Sequence, residues 1–255
     1  MNAQNILFEK KDHIAVVTMN RPPANSWNMG AMVEFEKILD DVEQDKSIRV
    51  IVLTGAGEKC FSAGMDVKDP PRSENRSIGQ DLWRRVERFP KPIIAAINGH
   101  ALGGGLELAM ACHFRIMADS PNIQIGLTEL NLGLIPGWGG TQRMVRLLGK
   151  AKALELILLS KRLSAQEALS LGLVNRITPP EKLMADTLDF AGWLAERPPL
   201  AVSSVLKSIS AGIYEGMDAG LAMEVECSKM LAKSKDVIEG FTAFMEKRKP
   251  VFTGE

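Results

Sequence analysis

Asn98-Gly-His-Ala-Leu-Gly-Gly-Gly-Leu-Glu-Leu-Ala-Met-Ala-Cys112 is the stretch on which the reading of this chain turns. A run of extended-favouring residues, 92–97, feeds a glycine-rich turn at Gly103, Gly104 and Gly105. That turn opens into residues 106–112, which are rich in helix formers and free of proline. A carboxylate, Glu107, therefore falls in the first turn of a helix. The glycines leave the first backbone N–H groups of that helix uncovered by side chains, so an electron-rich oxygen can approach them closely. The stretch reads as an anion-accepting backbone site with an acid beside it.

Upstream of this stretch the pattern alternates between strands and helices. Residues 6–9 and 13–19 read as strands, the second with the β-branched density of a buried one. Asn20-Arg-Pro-Pro-Ala-Asn25 ends them, because two prolines cannot continue a ladder. A helix is expected over 29–45, with Met32, Phe35, Ile38, Leu39 and Val42 on one face. Residues 47–54 read as a fully buried strand closed by Gly55-Ala-Gly57, followed by a short turn at 60–68 and a proline- and charge-rich loop at 69–75. A helix at 78–88 then leads to the strand that precedes Asn98.

Downstream, 114–118 reads as another short strand and 127–143 as a second glycine-dense loop. Helices dominate from there. Ser164-Ala-Gln-Glu167 fits a capping box, with Gly172 as the stop. Amphipathic stretches follow at 180–196, 200–214, 218–232 and 235–249. Recurrence of strand, strand and helix before residue 150 predicts an α/β core over 1–195, and the tail, 196–255, reads as a helical appendage suited to subunit contacts.

Composition narrows the function. The chain has 255 residues, enough for a substantial core, with 31 basic and 31 acidic side chains. A balanced charge argues against nucleic acid as a partner. Cys60, Cys112 and Cys227 lack C-x-x-C spacing, and His13, His100 and His113 do not pair at ligand intervals, so neither a disulfide framework nor a metal site is expected. Without an apolar signal core or a window approaching about 20 apolar residues, no membrane association is expected, and the reading is a reduced, cytoplasmic protein.

Nucleotide motifs fail on spacing. Counting G-x-G-x-x-G from Gly103 puts Leu108 where the third glycine belongs, and counting from Gly137 puts Gln142 there. Gly149-Lys150 is followed by Ala151, which breaks a P-loop, and a nucleophile elbow at Phe61-Ser62-Ala63-Gly64 needs glycine at Cys60. What remains is two glycine-flanked backbone sites, Ala63-Gly-Met65 and Gly103-Gly-Gly105, and two carboxylates, Glu107 and Glu129. Chemistry on a thioester carbonyl wants this set: convergent N–H donors for an enolate oxygen, and carboxylates to move protons at the neighbouring carbons. Singly the elements are weak, since a glutamate in a helix's first turn is usually a surface residue favoured by the dipole. On these residues alone, a proton-transfer enzyme and a binding module both fit.

Five blocks resemble the enoyl-CoA hydratase/isomerase (crotonase) family: Asn20-Arg-Pro22, F-S-A-G-M-D at 61–66, N-G-H-A-L-G-G-G-L-E at 98–107, L-T-E-L-N-L-G-L-I-P-G-W-G-G-T-Q-R at 127–143, and F-M-E-K-R-K-P at 244–250. The resemblance implies a spiral core of repeated strand-strand-helix units with a C-terminal helical region, assembled as a homotrimer or a hexamer of stacked trimers. Met65 N and Gly104 N match its two oxyanion donors. Ala63, Asp66 and Val67 match the turn that wraps the adenine of coenzyme A, and Ala24 and Lys68 join the expected contacts. Phe244 and Lys247 fall where the family's last helix reaches coenzyme A, commonly across a subunit boundary.

Members resembling the hydratases have glutamate at both positions, so the resemblance implies hydration of a 2-trans-enoyl-CoA to a 3-hydroxyacyl-CoA. Glu129 is expected as the acid toward C2 and Glu107 as the partner that orients and deprotonates water, with no cofactor beyond the coenzyme A of the substrate. The alternatives are an isomerase, a hydratase of a cyclic or dienoyl thioester, and a non-catalytic acyl-CoA binder. Three departures bear on the acyl group. The Glu107-to-Glu129 spacing of 22 is slightly long, Thr128 replaces a common proline, and Trp138 stands in an otherwise small P-G-x-G-G loop. Trp138 and residues 69–80 are the expected acyl-pocket wall.

Overall fold

Ile6–Lys11 (β1) and Ile14–Met19 (β2) form an antiparallel hairpin turned at Asp12, whose φ is +53°. The computed structural model describes residues 4–69 and 76–255. Met29–Gln44 (α1) follows, begun by Asn28, whose side chain accepts the Ala31 N–H, and buried through Met32, Phe35, Leu39 and Val42.

From here the chain coils. Val50–Gly55 (β3) joins β2 in parallel, and Cys60–Ser62 (β4) starts a second, smaller sheet before Arg76–Glu87 (α2). The next turn repeats the order with Ile93–Ile97 (β5), His100–Leu102 (β6) and Gly104–Ala111 (α3). A third turn lays down Phe114–Ala118 (β7) and Ile125–Gly126 (β8), then a 3-10 turn at Glu129–Leu132 and Gly140–Leu148 (α4). The large sheet runs β1, β2, β3, β5, β7 and finally Arg176–Thr178 (β9), and the small one β4, β6, β8. Strands β3 and β5 are buried at every residue, as parallel strands covered on both faces must be.

Helices complete the chain: Lys150–Leu158 (α5), Ala165–Ser170 (α6), Leu183–Ala195 (α7), Pro199–Glu215 (α8), Met217–Leu231 (α9) and Lys235–Glu246 (α10). Ser164 and Glu167 form the expected capping box, and Gly172 takes φ +75° just past the helix. The division expected at 195/196 falls in the connection between α7 and α8. From α10 the last residues return to the large sheet, where the Arg49 guanidinium donates to Ala195 O at 3.0 Å and Phe252 O at 2.8 Å.

The small sheet, β9 and α5 have no counterpart in the sequence reading. Strands of two or three residues are too short for hydrophobic alternation to register. Residues 60–62, read as part of a turn, are β4, and 127–143, read as a loop, holds the 3-10 turn and the start of α4. Residues 70–75 lie outside the described residues, and with them most of the loop expected at 69–75 and half of the expected acyl-pocket wall. The remainder of that wall, 76–80, is helical.

Aromatic packing ties the coil together. Trp27 meets Phe35 and Trp83 at centroid separations of 5.4 and 4.9 Å, and Trp83 meets Trp138 at 5.5 Å. Such pairs contribute about 0.5–1.5 kcal/mol each beyond the area they bury. The column connects α1, α2 and the loop before α4.

Candidate active site

Each site component leaves the carboxyl end of one small-sheet strand. After β4 comes the turn carrying Ala63, Gly64, Met65 and Asp66; after β6 come Gly103 and α3 with Glu107; after β8 comes the 3-10 turn with Glu129. Gly103 N donates to Gly126 O at 2.9 Å, which joins the ends of β6 and β8.

The first turn is held by side chains that the sequence reading left unassigned. Asn25 donates to Ala56 O and Cys60 O at 3.0 and 2.7 Å, and Asn98 grips Gly55 N, Gly55 O and Gly57 O from the other side. Arg21 pairs with Asp66 at 2.9 Å, and the other Asp66 oxygen accepts the Lys68 N–H at 3.0 Å. These contacts, led by the Lys68 N–H, hold the Asp66 carboxyl below its usual range. Asp66, expected to touch coenzyme A, also shapes the turn through these contacts. Ala24 O accepts the Ala63 N–H at 2.8 Å, which places Ala24 beside the same turn. Val67 and Lys68 are exposed.

Neither expected oxyanion donor has an acceptor among the described residues. Trp27 pairs with Met65 through its own N–H to Gly64 O and the Asp66 N–H to Trp27 O, a pattern that leaves Met65 N pointing off the bridge. Gly104 is the first residue of α3, so its N–H has no carbonyl four residues back. The two strands of backbone are in close contact: a Cβ on Gly64, whose φ is +84°, would stand 2.7 Å from Gly104 N. Trp83 fixes the next peptide by donating its indole N–H to Gly104 O at 3.2 Å.

Glu107 is buried, at 1% exposure, against the surface position its place in the helix suggested. Its Oε1 accepts the Trp138 N–H at 2.8 Å and the Gly140 N–H at 2.7 Å, leaving Oε2 free of both. Burial pushes this carboxyl up to about 7; Glu129 adds to the rise, while the two N–H groups and Arg143 oppose it. Glu129 is half-buried, its Oε2 unpartnered among the described residues, and burial raises its carboxyl too. Glu129 lies against the turn that opens α3, where a Cβ on Gly103 would stand 3.0 Å from its Oε1, and its charge is felt at the Glu107 carboxyl.

Trp138 is 8% exposed, and its indole fills the space between α3 and α2. A Cβ on Gly104 would run into the ring from one side, and a Cβ on Gly79 would stand 2.6 Å from it on the other. Phe244 and Lys247 do not reach this site within the chain. Both are exposed, and the segment that follows them is anchored at the amino end of the large sheet by Lys249–Glu196 and Arg49–Phe252 contacts. The site lies at the carboxyl ends, a strand length of roughly 20 Å away.

The chemistry available is therefore acid–base work beside two backbone donors. Arg143, Trp83, Asn25 and Asn98 support it and were missed as site residues. Arg143 and Asn98 stand within the quoted blocks, but nothing in a sequence says which way a side chain turns.

A family model described as "Enoyl-CoA hydratase/isomerase" matches residues 9–255. The chain is 40% identical to the "Short-chain-enoyl-CoA hydratase" of Clostridium acetobutylicum, over 98% of this chain and 97% of that protein. It is 38% identical to the "Crotonyl-CoA hydratase" of Syntrophomonas wolfei, over 99% of each. Among solved structures, that of an enoyl-CoA hydratase from Bacillus anthracis superposes with a TM-score of 0.94 at 42% identity, covering 99% of this chain and 100% of that one.

Proposed function

The chain belongs to the enoyl-CoA hydratase/isomerase family, and from that premise we propose that it is an enoyl-CoA hydratase. It adds water across the 2,3 double bond of a 2-trans-enoyl-CoA to give the 3-hydroxyacyl-CoA. The observation that carries this reading is the pair of raised carboxyls, Glu107 and Glu129, close enough that the charge of one raises the other, beside two backbone N–H groups without an acceptor among the described residues.

In this mechanism the thioester oxygen accepts the Met65 and Gly104 N–H groups. The positive end of α3 lies behind the second. Polarisation draws electron density from C3, and a water held between the two acids attacks there. Glu107 takes the water's proton through Oε2, Glu129 gives a proton to C2, and the net addition is one water. Burial and mutual repulsion keep one acid protonated while the other is ionised. Because the Glu129 charge is part of what raises Glu107, the form with Glu107 ionised and Glu129 protonated is the minor of the two, and the reaction draws on it.

The acyl group is short in this reading. The Trp138 ring occupies the volume next to Gly104 into which a longer chain would extend. The turn after β4 receives the coenzyme A moiety, and the reaction needs no further cofactor. Assembly as a trimer or a dimer of trimers belongs to the same proposal. Val205, Ile209 and Ile213 on α8 and Leu221 and Val225 on α9 are each more than half exposed, and Phe244 and Lys247 are free to serve a neighbouring subunit.

The test is to add crotonyl-CoA, follow loss of the enoyl-thioester absorbance and identify the product. 3-Hydroxybutyryl-CoA supports the proposal. A panel of short, medium and cyclic enoyl-CoAs left unchanged overturns it, and a shifted double bond without hydroxy product makes the protein an isomerase.

A further inference from the structure

Arg143 is the charged group most deeply set behind the site, 6% exposed on the first turns of α4. Its Nη1 donates to Trp138 O at 2.7 Å and its Nη2 to Glu87 on α2 at 2.8 Å. One residue it grips, Trp138, also grips Glu107: Trp138 N and Gly140 N supply both hydrogen bonds to Oε1. Between them Gly139 takes φ +102°, and a Cβ there would run into the guanidinium. A three-residue loop is thereby clamped from two sides, by the guanidinium on its carbonyl face and by the carboxylate on its N–H face.

We propose that Arg143, anchored by Glu87, is a positioning residue for Glu107, fixing the 138–140 loop so that its two N–H groups hold Oε1 and leave Oε2 set for water. The chemistry assigned to Oε2 rests on the hydratase reading. Stability alone is a poor account of the contact. A buried ion pair exchanged for well-packed apolar groups is often neutral or favourable in free energy, whereas a reacting group displaced by about 1 Å loses on the order of 10²-fold in rate.

The charges around the device are few. Glu107 is faced by Glu129 from the 3-10 turn and by Arg143 from α4. Arg143 is faced by Glu87 on α2, Arg146 on its own helix, Tyr214 on α8 and Cys112 at the end of α3. Arg88 lies over the Tyr214 ring at 4.3 Å. Removing the Arg143 charge and loosening the loop both disfavour an ionised Glu107, so the limb of the pH profile that reports Glu107 must move to higher pH.

The experiment is kcat and KM for crotonyl-CoA against pH in wild type, Arg143→Met, Arg143→Lys and Glu87→Gln. Arg143→Met is expected to lower kcat about 10²-fold with KM little changed, and to move the Glu107 limb to higher pH. Arg143→Lys recovers most of the rate and returns the limb. Glu87→Gln moves both in the direction of Arg143→Met by less, and it carries the test if Arg143→Met does not fold. A loss of rate with the limb unmoved, or Arg143→Lys no better than Arg143→Met, overturns the proposal. Carbon-13 titration of the Glu107 carboxyl gives a readout without turnover. A higher midpoint in the Arg143 variants supports positioning even where wild type hydrates no enoyl-CoA and the functional reading fails, and an unmoved midpoint overturns it.

Discussion

Glu107 and Gly140 stand face to face, with the Gly140 N–H donating to Oε1 at 2.7 Å and no room for a side chain between them. A Cβ on Gly140 would lie 2.9 Å from that same oxygen. Gly140→Ala must therefore displace the carboxylate or break the bond. Expected is a fall in kcat of roughly 10–100-fold on crotonyl-CoA, with the circular dichroism of the fold retained. An unchanged kcat would show that Glu107 needs no such placement.

Neutralising either acid removes a proton carrier while leaving the backbone donors in place. Glu107→Gln and Glu129→Gln are each expected to lower kcat by about 10²–10⁴-fold. Calorimetric affinity for a 3-hydroxyacyl-CoA should stay within a few-fold of wild type. Full activity in Glu107→Gln would transfer the whole proton relay to Glu129.

The pH profile follows from the two raised carboxyls. The working form has Glu107 ionised and Glu129 protonated; Glu129, which is raised less, ionises first and sets the acid limb, and Glu107 sets the basic limb near 7. The expected kcat/KM profile is a bell between the two raised carboxyls, its acid limb above the ordinary carboxylate range. A rate that stays flat from pH 7 to pH 9 contradicts the Glu107 assignment.

Stability carries the opposite sign. Because the folded Glu107 carboxyl holds its proton up to about 7 rather than 4.5, the folded state binds more protons than the unfolded one in that window. The contribution to stability is thus lost as pH rises through it, by roughly 3 kcal/mol at most. Glu107→Gln, which cannot ionise, is expected to melt higher than wild type at pH 8 and nearly level with it at pH 4.5. A lower melting temperature at pH 8 would count against this account.

Trp138 and Gly104 make a coupled pair, since a Cβ on Gly104 would enter the indole. Gly104→Ala alone should cost on the order of 10²–10³-fold in kcat, the loss typical of one oxyanion donor. In a Trp138→Ala background the same change should cost less, because its collision partner is gone. Trp138→Ala by itself should raise kcat/KM for eight-carbon relative to four-carbon enoyl-CoA. Parallel chain-length profiles would remove Trp138 from the acyl wall.

How much of this was legible in the sequence differs by scale. Buried strands such as Val50–Gly55 announced themselves because six apolar or small residues in a row have few other uses. Cys60–Ser62 and Ile125–Gly126 did not, because two or three residues carry no period. Glu107, Glu129 and the two glycine-flanked turns stood out in the sequence, the family resemblance singled out Met65 and Gly104 within those turns, and the structure sets the pieces at the ends of β4, β6 and β8. The direction of Arg143, the Asn98 grip on Gly55 and the burial of Glu107 belong to contacts between residues distant in sequence. Local pattern does not encode those contacts. Asp66 shows the same limit from the other side: its pairing with Arg21, 45 positions away, is part of what it does.

The second sheet has a consequence for how such a molecule changes over time. Its three strands hand over one site component per turn of the coil, so neighbouring components are spaced by strand pairing, about 4.8 Å per step. The connections that run outward from each turn do not set that spacing. Residues added in those connections enlarge the rim and leave the spacing of the strands as it was. Pocket shape and chain length can thus be rewritten on the periphery while the reacting geometry is inherited unchanged.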